Sequence, residues 1–400
     1  MEKQIKVVIG ANFGDEGKGL MTDYFCNELS ANGSVLNIRH NGGAQAGHTV
    51  VTPDGKRHVF SHFGAGSFNP HVATYLSEDF ILNPILFCKE LEALKKQFNL
   101  TPRVYIHPNC RITTPYDMLV NQIAENSLGD NRHGSCGLGI NETVVRYHSL
   151  MFGYPQRNLL SAKKILSTPL DLILMDIRKR YVPARLKEHG VTNLSMEDYE
   201  RIHSDVLLYR WIDQLHEMLS YCRMADDSVL NIYDHLIFEG AQGLLLDMDN
   251  KPFAPYLTTS KTGSDNPKNI LLAAHYSDAD IEVCYVTRSY FTRHGNGPFP
   301  SECSKSDLGI EAADQTNRKN EFQGELRYGR FDMELFRASL LRDTAYLAND
   351  FSNMKNVLAV THLDELAFED TLDCTLPAKV KYLSLGEKRT DIQVVAERIV

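Results

Sequence analysis

Gly14-Asp15-Glu16-Gly17-Lys18-Gly19 follows the apolar run Ile5-Lys6-Val7-Val8-Ile9-Gly10 and precedes Leu20-Met21-Thr22-Asp23-Tyr24-Phe25. The order predicts a strand, a glycine-rich turn and a helix N-terminus. Unpaired backbone N–H groups and the helix dipole bind phosphate at such a junction. Lys18 adds positive charge where phosphate oxygens would sit. Asp15 runs against that logic, because a carboxylate repels phosphate unless a cation or a proton transfer gives it a task. An N-terminal helix cap is the plainer role for it. The turn departs from the P-loop pattern, with Asn12 at the first glycine position and Gly19 in place of the hydroxyl residue. A G-x-G-x-x-G fingerprint cannot be written across it.

A second glycine-rich loop, Asn41-Gly42-Gly43-Ala44-Gln45-Ala46-Gly47-His48-Thr49, follows the strand-like Val35-Leu36-Asn37-Ile38. It delivers His48 to the start of a new strand. A lone histidine is more often structural, but beside a phosphate-type turn it becomes an acid candidate.

Together these loops resemble the adenylosuccinate synthetase family, whose pattern pairs GDEGKG with GG-x-N-AGHT. The resemblance continues in Phe238-Glu239-Gly240-Ala241-Gln242-Gly243, in Pro255-Tyr256-Leu257-Thr258-Thr259-Ser260 and in Thr292-Arg293-His294-Gly295-Asn296-Gly297-Pro298-Phe299-Pro300-Ser301-Glu302. Thr361-His362-Leu363-Asp364 and Leu383-Ser384-Leu385-Gly386 are similar to its purine-recognition elements.

Composition sets bounds around that resemblance. At 400 residues and 43% hydrophobic content the chain can bury a large core. A net charge of −9 argues against a nucleic-acid partner, which needs basic stripes. Eight scattered cysteines without a C-x-x-C pair indicate neither zinc nor a disulfide framework. No signal segment or membrane-length apolar run is present, so a cytoplasmic setting is expected. Strand-like runs at 104–106, 236–238, 281–286 and 357–360 alternate with helix-like stretches at 85–97 and 204–224. That alternation predicts an α/β fold with a large central, mostly parallel sheet flanked by helices. Residues 1–400 are read as a single domain with a helix-rich subregion over about 149–225.

The resemblance implies ligation of L-aspartate to C6 of a 6-oxopurine nucleoside monophosphate through a 6-phosphoryl intermediate. Asp15 matches the base that removes the N1 proton, and His48 the acid at O6 and the transferring phosphoryl group. Asp15 and the Gly47 carbonyl match the Mg²⁺ ligands. Asn12, Gly14, Glu16, Gly17, Lys18, Gly19, Gln45, Thr49, His362, Asp364 and Gly386 match the nucleotide-binding positions. Ser135, Cys136, Arg146, Gln242 and Thr258 match those that hold the monophosphate, with Arg146 near where the family reaches into a neighbouring subunit. A homodimer is therefore expected.

Several positions depart from the family. Gln45 stands for asparagine. Where the family has GTTGRGIGP this chain has Gly134-Ser135-Cys136-Gly137-Leu138-Gly139-Ile140. The aspartate run GATTGRRRRTGWLD becomes Asn320-Glu321-Phe322-Gln323-Gly324-Glu325-Leu326-Arg327-Tyr328-Gly329-Arg330-Phe331-Asp332. Gln323, Gly324 and Arg327 are its aspartate-binding candidates, with Arg327 as the clamp and Arg330 in reserve. The guanine reader T-K-L-D has His362 for lysine, so the donor is GTP or ATP. A phage branch of the family aminates dGMP and tends to carry a small hydroxyl residue where Asp15 stands. Asp15 thus favours IMP, and the altered loops favour dGMP. A nucleotide-binding relative that lost the reaction is the non-catalytic alternative. A simple kinase or NTPase leaves the EGAQG and GPFPSE segments unexplained.

Overall fold

The computed structural model describes residues 3–129, 132–148, 161–165, 169–311, 316–317, 324–347, 350–368 and 375–395. The opening apolar run forms β1 (Gln4–Gly10). Its side chains alternate as a pleated strand requires. Ile5, Val7 and Ile9 enter one apolar cluster, while Val8 enters another with Met21, Phe25 and Leu29. Those three belong to α1 (Lys18–Ser30), whose buried face lies against the sheet. Burying each contributes about 1.5–3 kcal/mol, which fixes the helix start over the end of β1.

Nine further strands complete the main sheet: β2 (Val35–Arg39), β3 (Val72–Leu76), β4 (Arg103–Ile106), β5 (Arg223–Met224), β6 (His235–Gly243), β7 (Asp280–Arg288), β8 (Asn353–Thr361), β9 (Lys379–Ser384) and β10 (Ile392–Val394). Their order is β10-β9-β8-β7-β1-β6-β2-β3-β4-β5. All neighbours run parallel except β9 and β10. This is the mostly parallel α/β sheet expected from the alternating pattern. In register, Val7 lies between Phe238 of β6 and Val283 of β7. The β1–β6 register shifts between Val8 and Gly10, a bulge of the kind that re-aims side chains beside functional sites.

α2 (Pro84–Phe98) starts at an Asn83 cap with proline in its first turn and ends at left-handed Asn99. α3 (Pro115–Ser127) opens on a reciprocal Thr114–Asp117 capping box. After α4 (Ile140–His148) come α5 (Ala162–Ile165), α6 (Leu170–Asp176), α7 (Val182–Glu188), α8 (Met196–His203) and α9 (Asp205–Tyr221). Within the described part of the 149–225 stretch these helices are joined by the loop at 189–195 and followed by the short strand β5; residues 149–160 and 166–168 lie outside the described residues. This layer packs on the β3–β4 side through a cluster containing Leu91, Ile123, Leu174, Leu208 and Trp211. Trp211 also donates its indole N–H to the Thr113 carbonyl, 3.1 Å away. α10 (Asp265–Ala273) and α11 (Met333–Leu347) lie between the remaining strands. No helix among the described residues is long and apolar enough to cross a membrane.

Parallel strands all end on one side. The C-terminal ends of β1, β2, β6, β7 and β8 carry the glycine turn, the His40–His48 loop, Gln242, Arg288 and His362 to one edge of the sheet. Open α/β sheets collect ligands along such an edge.

Candidate active site

The turn after β1 is ordered from within. Glu16 is buried and accepts from the N–H groups of Asn12 (3.1 Å) and Gly14 (2.8 Å). Its second oxygen meets Lys18 Nζ at 2.5 Å. Glu16 and Lys18 are therefore turned to each other, and Glu16 acts on the loop's shape. Asn12 is also buried and donates to Thr287 Oγ1 at 2.7 Å. Asp15 does not cap the helix: the cap residue is Gly17, at φ 94°. A side chain at Gly17 would also press on Thr361, whose hydroxyl donates to the Glu16 carbonyl at 2.7 Å. The N–H groups of the first turn of α1 have no acceptors within the helix and face the site.

Asp15 itself adopts φ 61°, a costly conformation for a non-glycine residue. Arg288 Nε holds its carbonyl at 2.5 Å, and His294 Nε2 meets its Oδ2 at 3.2 Å. Burial pushes the Asp15 carboxyl up. The His294 hydrogen bond and charge, with Arg288 and Lys18, outweigh that and hold it well below the usual range.

His48 opens the His48–Val51 strand against the same helix start. A Cβ on Gly19 would lie 2.9 Å from both His48 Cβ and the Thr49 carbonyl, so only glycine permits the approach. His48 Nδ1 bonds to the buried Glu239 carboxylate, and its Nε2 has no partner among the described residues. Glu239 also accepts from the Ala65 N–H at 3.1 Å. Burial lowers the His48 pKa against the pull of Glu239, and Arg39 and Lys18 lower it further. Lys18 thus acts on both Asp15 and His48. Glu239 is held down to about 2, since the charges of Arg39 and His48 outweigh its burial.

Two amides stand ready nearby. Gln242, at φ 61° where the β6 register shifts, has a buried Oε1 without a partner among the described residues. Gln45, over Gly42 and Gly43, has both amide atoms buried and without a partner among the described residues. Buried amides in this state are unusual and mark a place for a polar ligand. Thr258 follows, tied by its N–H to the Leu246 carbonyl at 3.0 Å. Thr49 Oγ1 lies 3.1 Å from Thr316 Oγ1.

At the β8 and β9 ends the two suspected base-reading segments touch, the Leu363 N–H donating to the Ser384 carbonyl at 3.2 Å. His362 sits at φ 60° with its ring edge-on to Tyr290. Asp364 is exposed. Gly386 packs so closely on Asp391 that a Cβ would lie 2.5 Å from its carboxylate.

A family model for adenylosuccinate synthetase matches residues 7–392. The chain belongs to the adenylosuccinate synthetase family. It is a carbon–nitrogen ligase of purine nucleotide biosynthesis. Its relatives include the adenylosuccinate synthetase of Buchnera aphidicola subsp. Schizaphis graminum, 30% identical over 308 residues, which span 74% of this chain and 64% of the relative. The Chlorobium chlorochromatii enzyme is 28% identical over 388 residues, 92% of this chain and 79% of the relative. Among solved structures, a fully ligated adenylosuccinate synthetase from Plasmodium falciparum superposes with a TM-score of 0.71 at 17% identity, covering 98% of this chain and 99% of that one. A cyanophage S-2L succinoaminodeoxyadenylate synthetase bound to dGMP and dATP gives 0.62 at 19% identity, covering 98% and 96%.

Against the family pattern, several residues stand elsewhere than expected. Arg146 does not reach outward to another subunit. It is wholly buried, pairing with Asp117 at 2.8 Å and donating to the Ile112 carbonyl at 2.8 Å. Arg327 is engaged with Glu302 through two nitrogens and donates to the Gly295 and Gly297 carbonyls. Arg330 is exposed, and Gly324 is half-buried at φ 75°. Gln323 lies outside the described residues. Ser135 Oγ accepts from Asn121 at 2.8 Å, and Gly134 abuts Gly295, so the 134–139 loop lies against the 294–297 loop. Cys136 is partly exposed there.

Mg²⁺ is the metal the family implies. The described residues contain no group of three His, Cys, Asp or Glu that could hold a metal alone. An Asp15 carboxylate oxygen and the Gly47 carbonyl, the pair the family pattern implies, would be a sparse all-oxygen set of the kind that suits a cation that keeps its water and shares phosphate oxygens.

Sequence reading missed three residues: Glu239, Arg288 and His294. A signal for Glu239 existed, because it is the one charged residue in the apolar strand Leu236-Ile237-Phe238-Glu239.

Proposed function

We propose that the protein joins L-aspartate to C6 of a 6-oxopurine nucleoside monophosphate, with IMP as the acceptor and GTP or ATP as phosphoryl donor. The observation that carries this reading is that Asp15 and Glu239-held His48 border one helix N-terminus and both feel Lys18. A carboxylate held low is a weak base in the free protein. Phosphate charge arriving at the N–H groups of α1 raises its proton affinity, and that of His48 as well.

Asp15 then removes the N1 proton of the purine, leaving negative charge on O6. O6 attacks the γ-phosphorus, forming the O6–P bond as the bond to the β-phosphate oxygen breaks. His48 Nε2 donates to the transferring group, its ring fixed by Glu239 through Nδ1. The aspartate amine next attacks C6, phosphate leaves with the O6 oxygen, and the amine loses a proton. Asp15 and the Gly47 carbonyl would hold Mg²⁺, which neutralises phosphoryl charge when bound. Gln45 and Gln242 offer amides to the purine, and Arg327 a guanidinium to the aspartate carboxylate once Glu302 releases it.

The second reading takes dGMP as acceptor and ATP as donor. His362 and Cys136, where the family has lysine and threonine, favour it; Asp15, crowding a 2-amino group, favours IMP. The test supplies purified protein with aspartate, Mg²⁺ and IMP, GMP or dGMP, each against ATP and GTP. Phosphate release and the succinyl-purine product are followed. Asp15→Asn and His48→Ala should each abolish phosphate release while circular dichroism stays unchanged. Near-normal turnover in either variant would refute the mechanism. Sedimentation of the same protein tests the expected homodimer.

A further inference from the structure

Asp15 is held from two sides. Its backbone, in an unfavourable left-handed conformation, is fixed by Arg288 at the carbonyl. Its side chain has torsional freedom about Cα–Cβ, and a base must keep one oxygen aimed at the proton it removes. Among the described residues, the group that meets that carboxylate at hydrogen-bond distance is His294, whose Nε2 is 3.2 Å from Oδ2. The same Nε2 is 3.1 Å from Asn317 Oδ1. Both neighbours are acceptors as placed, so Nε2 carries the hydrogen and shares it between them.

The loop bearing His294 is itself rigidly delivered. Arg327 binds the carbonyls of Gly295 and Gly297. Gly295 stands at φ 69° with its Cα against Gly134, and the Asn296 N–H donates to the His133 carbonyl at 3.3 Å. Arg327 is in turn locked by Glu302. The imidazole therefore arrives from a braced turn, as a group that must fix another to within tenths of an ångström should.

We propose that His294 is a positioning residue for the ligation reaction: it anchors Asp15 through Oδ2 and leaves Oδ1 turned to the acceptor purine. This rests on Asp15 being the base, as proposed above. Asn317, sharing the same N–H, keeps the imidazole in the tautomer that donates. Asn317 is thereby linked to the base through the imidazole, so disturbance at residue 317 reaches Asp15.

The experiment compares His294→Val, which removes the donor, with His294→Gln, whose amide nitrogen reaches the place of Nε2. His294→Val should lower kcat by about tenfold or more with the KM for the nucleoside triphosphate within about twofold, and His294→Gln should recover most of the loss. A His294→Val enzyme within twofold of wild-type kcat overturns the proposal. So does a His294→Gln variant as impaired as His294→Val. If the wild-type protein ligates aspartate to none of the monophosphates, the functional reading has failed, and crystal structures of the two variants decide the positioning role. An Asp15 carboxylate turned away in His294→Val and retained in His294→Gln upholds it; an unmoved carboxylate in His294→Val overturns it.

Discussion

Glu239 accepts from His48 Nδ1 across 191 residues of sequence, and the pair is sealed from solvent. The carboxylate fixes Nδ1 as a hydrogen-bearing ring nitrogen and leaves Nε2 buried without a partner among the described residues. Glu239→Gln keeps the shape and removes the charge that favours the imidazolium, the form in which Nδ1 bonds residue 239 while Nε2 still donates. The expected result is a fall in kcat of about a hundredfold with each KM nearly unchanged, read by steady-state kinetics. A large rise in a nucleotide KM instead would mean that Glu239 shapes the binding site.

Arg146 and Asp117 form a second buried relationship, with both side chains 0% exposed. Asp117 is also the acceptor of the Thr114 cap at the start of α3. Removing one member leaves the other charge buried and unpaired, which costs about 3–5 kcal/mol. Arg146→Met should lower Tm sharply in the isolated chain and leave the monophosphate KM of whatever remains folded little changed. A normal Tm with a raised monophosphate KM would return Arg146 to a binding role.

Burial, against hydrogen bonds from Ser264 and Tyr285, pushes the Asp343 carboxyl above its usual value of 3.8. An acid whose pKa is raised in the folded state contributes most stability below its unfolded value, and that contribution is lost as pH rises through the folded value. Asp343→Asn keeps an acceptor for the Ser264 N–H and can donate to Tyr285. Its Tm should exceed that of the wild type at pH 7, and the difference should vanish below about pH 3.8. Thermal melts of both proteins across that range check it; an equal or lower Tm for the variant at pH 7 contradicts the assignment.

What was legible in the sequence was what is local. The strand–turn–helix at 5–25 and the apolar runs at 236–238 and 281–286 carry their periodicity within a few residues, and the structure has strands and helix there. Asp15 and His48 stood out because a carboxylate and an imidazole are odd companions for phosphate-type glycine loops. The partners of those residues were not legible. Glu239, Arg288 and His294 reach the turn only after parallel strands far apart in sequence have been laid side by side, and no spacing rule encodes that. Arg146 was placed by its match to the family, and its core partner was no more legible: Asp117 lies 29 residues earlier in the chain and meets it inside the core.

Arg327 provides a sharper test of the aspartate side. Glu302 already occupies its fork, as a substrate carboxylate would. If Arg327 is the clamp, Glu302 competes with aspartate. Glu302→Gln should then lower the KM for aspartate, and Arg327→Leu should raise it far more than either nucleotide KM. Should both variants change only nucleotide kinetics, Arg327 serves the 294–297 loop and the aspartate clamp lies elsewhere.

Donor preference follows from the way His362 is held. A lysine stem can lie flat over a purine and exclude water from its face. His362 is fixed instead: Nδ1 lies 2.8 Å from Thr361 Oγ1, and its ring stands edge-on to Tyr290. Its backbone at φ 60° fixes where the ring can go. Burial, helped by the Arg288 charge, lowers its pKa well below the usual histidine value, so it offers no lysine-like cation either. Asp364, exposed one residue beyond Leu363, can still accept from guanine N1–H and the 2-amino group. A pair of exposed acceptor contacts without cover contributes about 1–2 kcal/mol of discrimination, roughly tenfold. The kcat/KM ratio of GTP to ATP should therefore stay below about a hundredfold, and His362→Lys should widen it. A wild-type ratio beyond a hundredfold would mean that Asp364 alone reads guanine and the cover is dispensable.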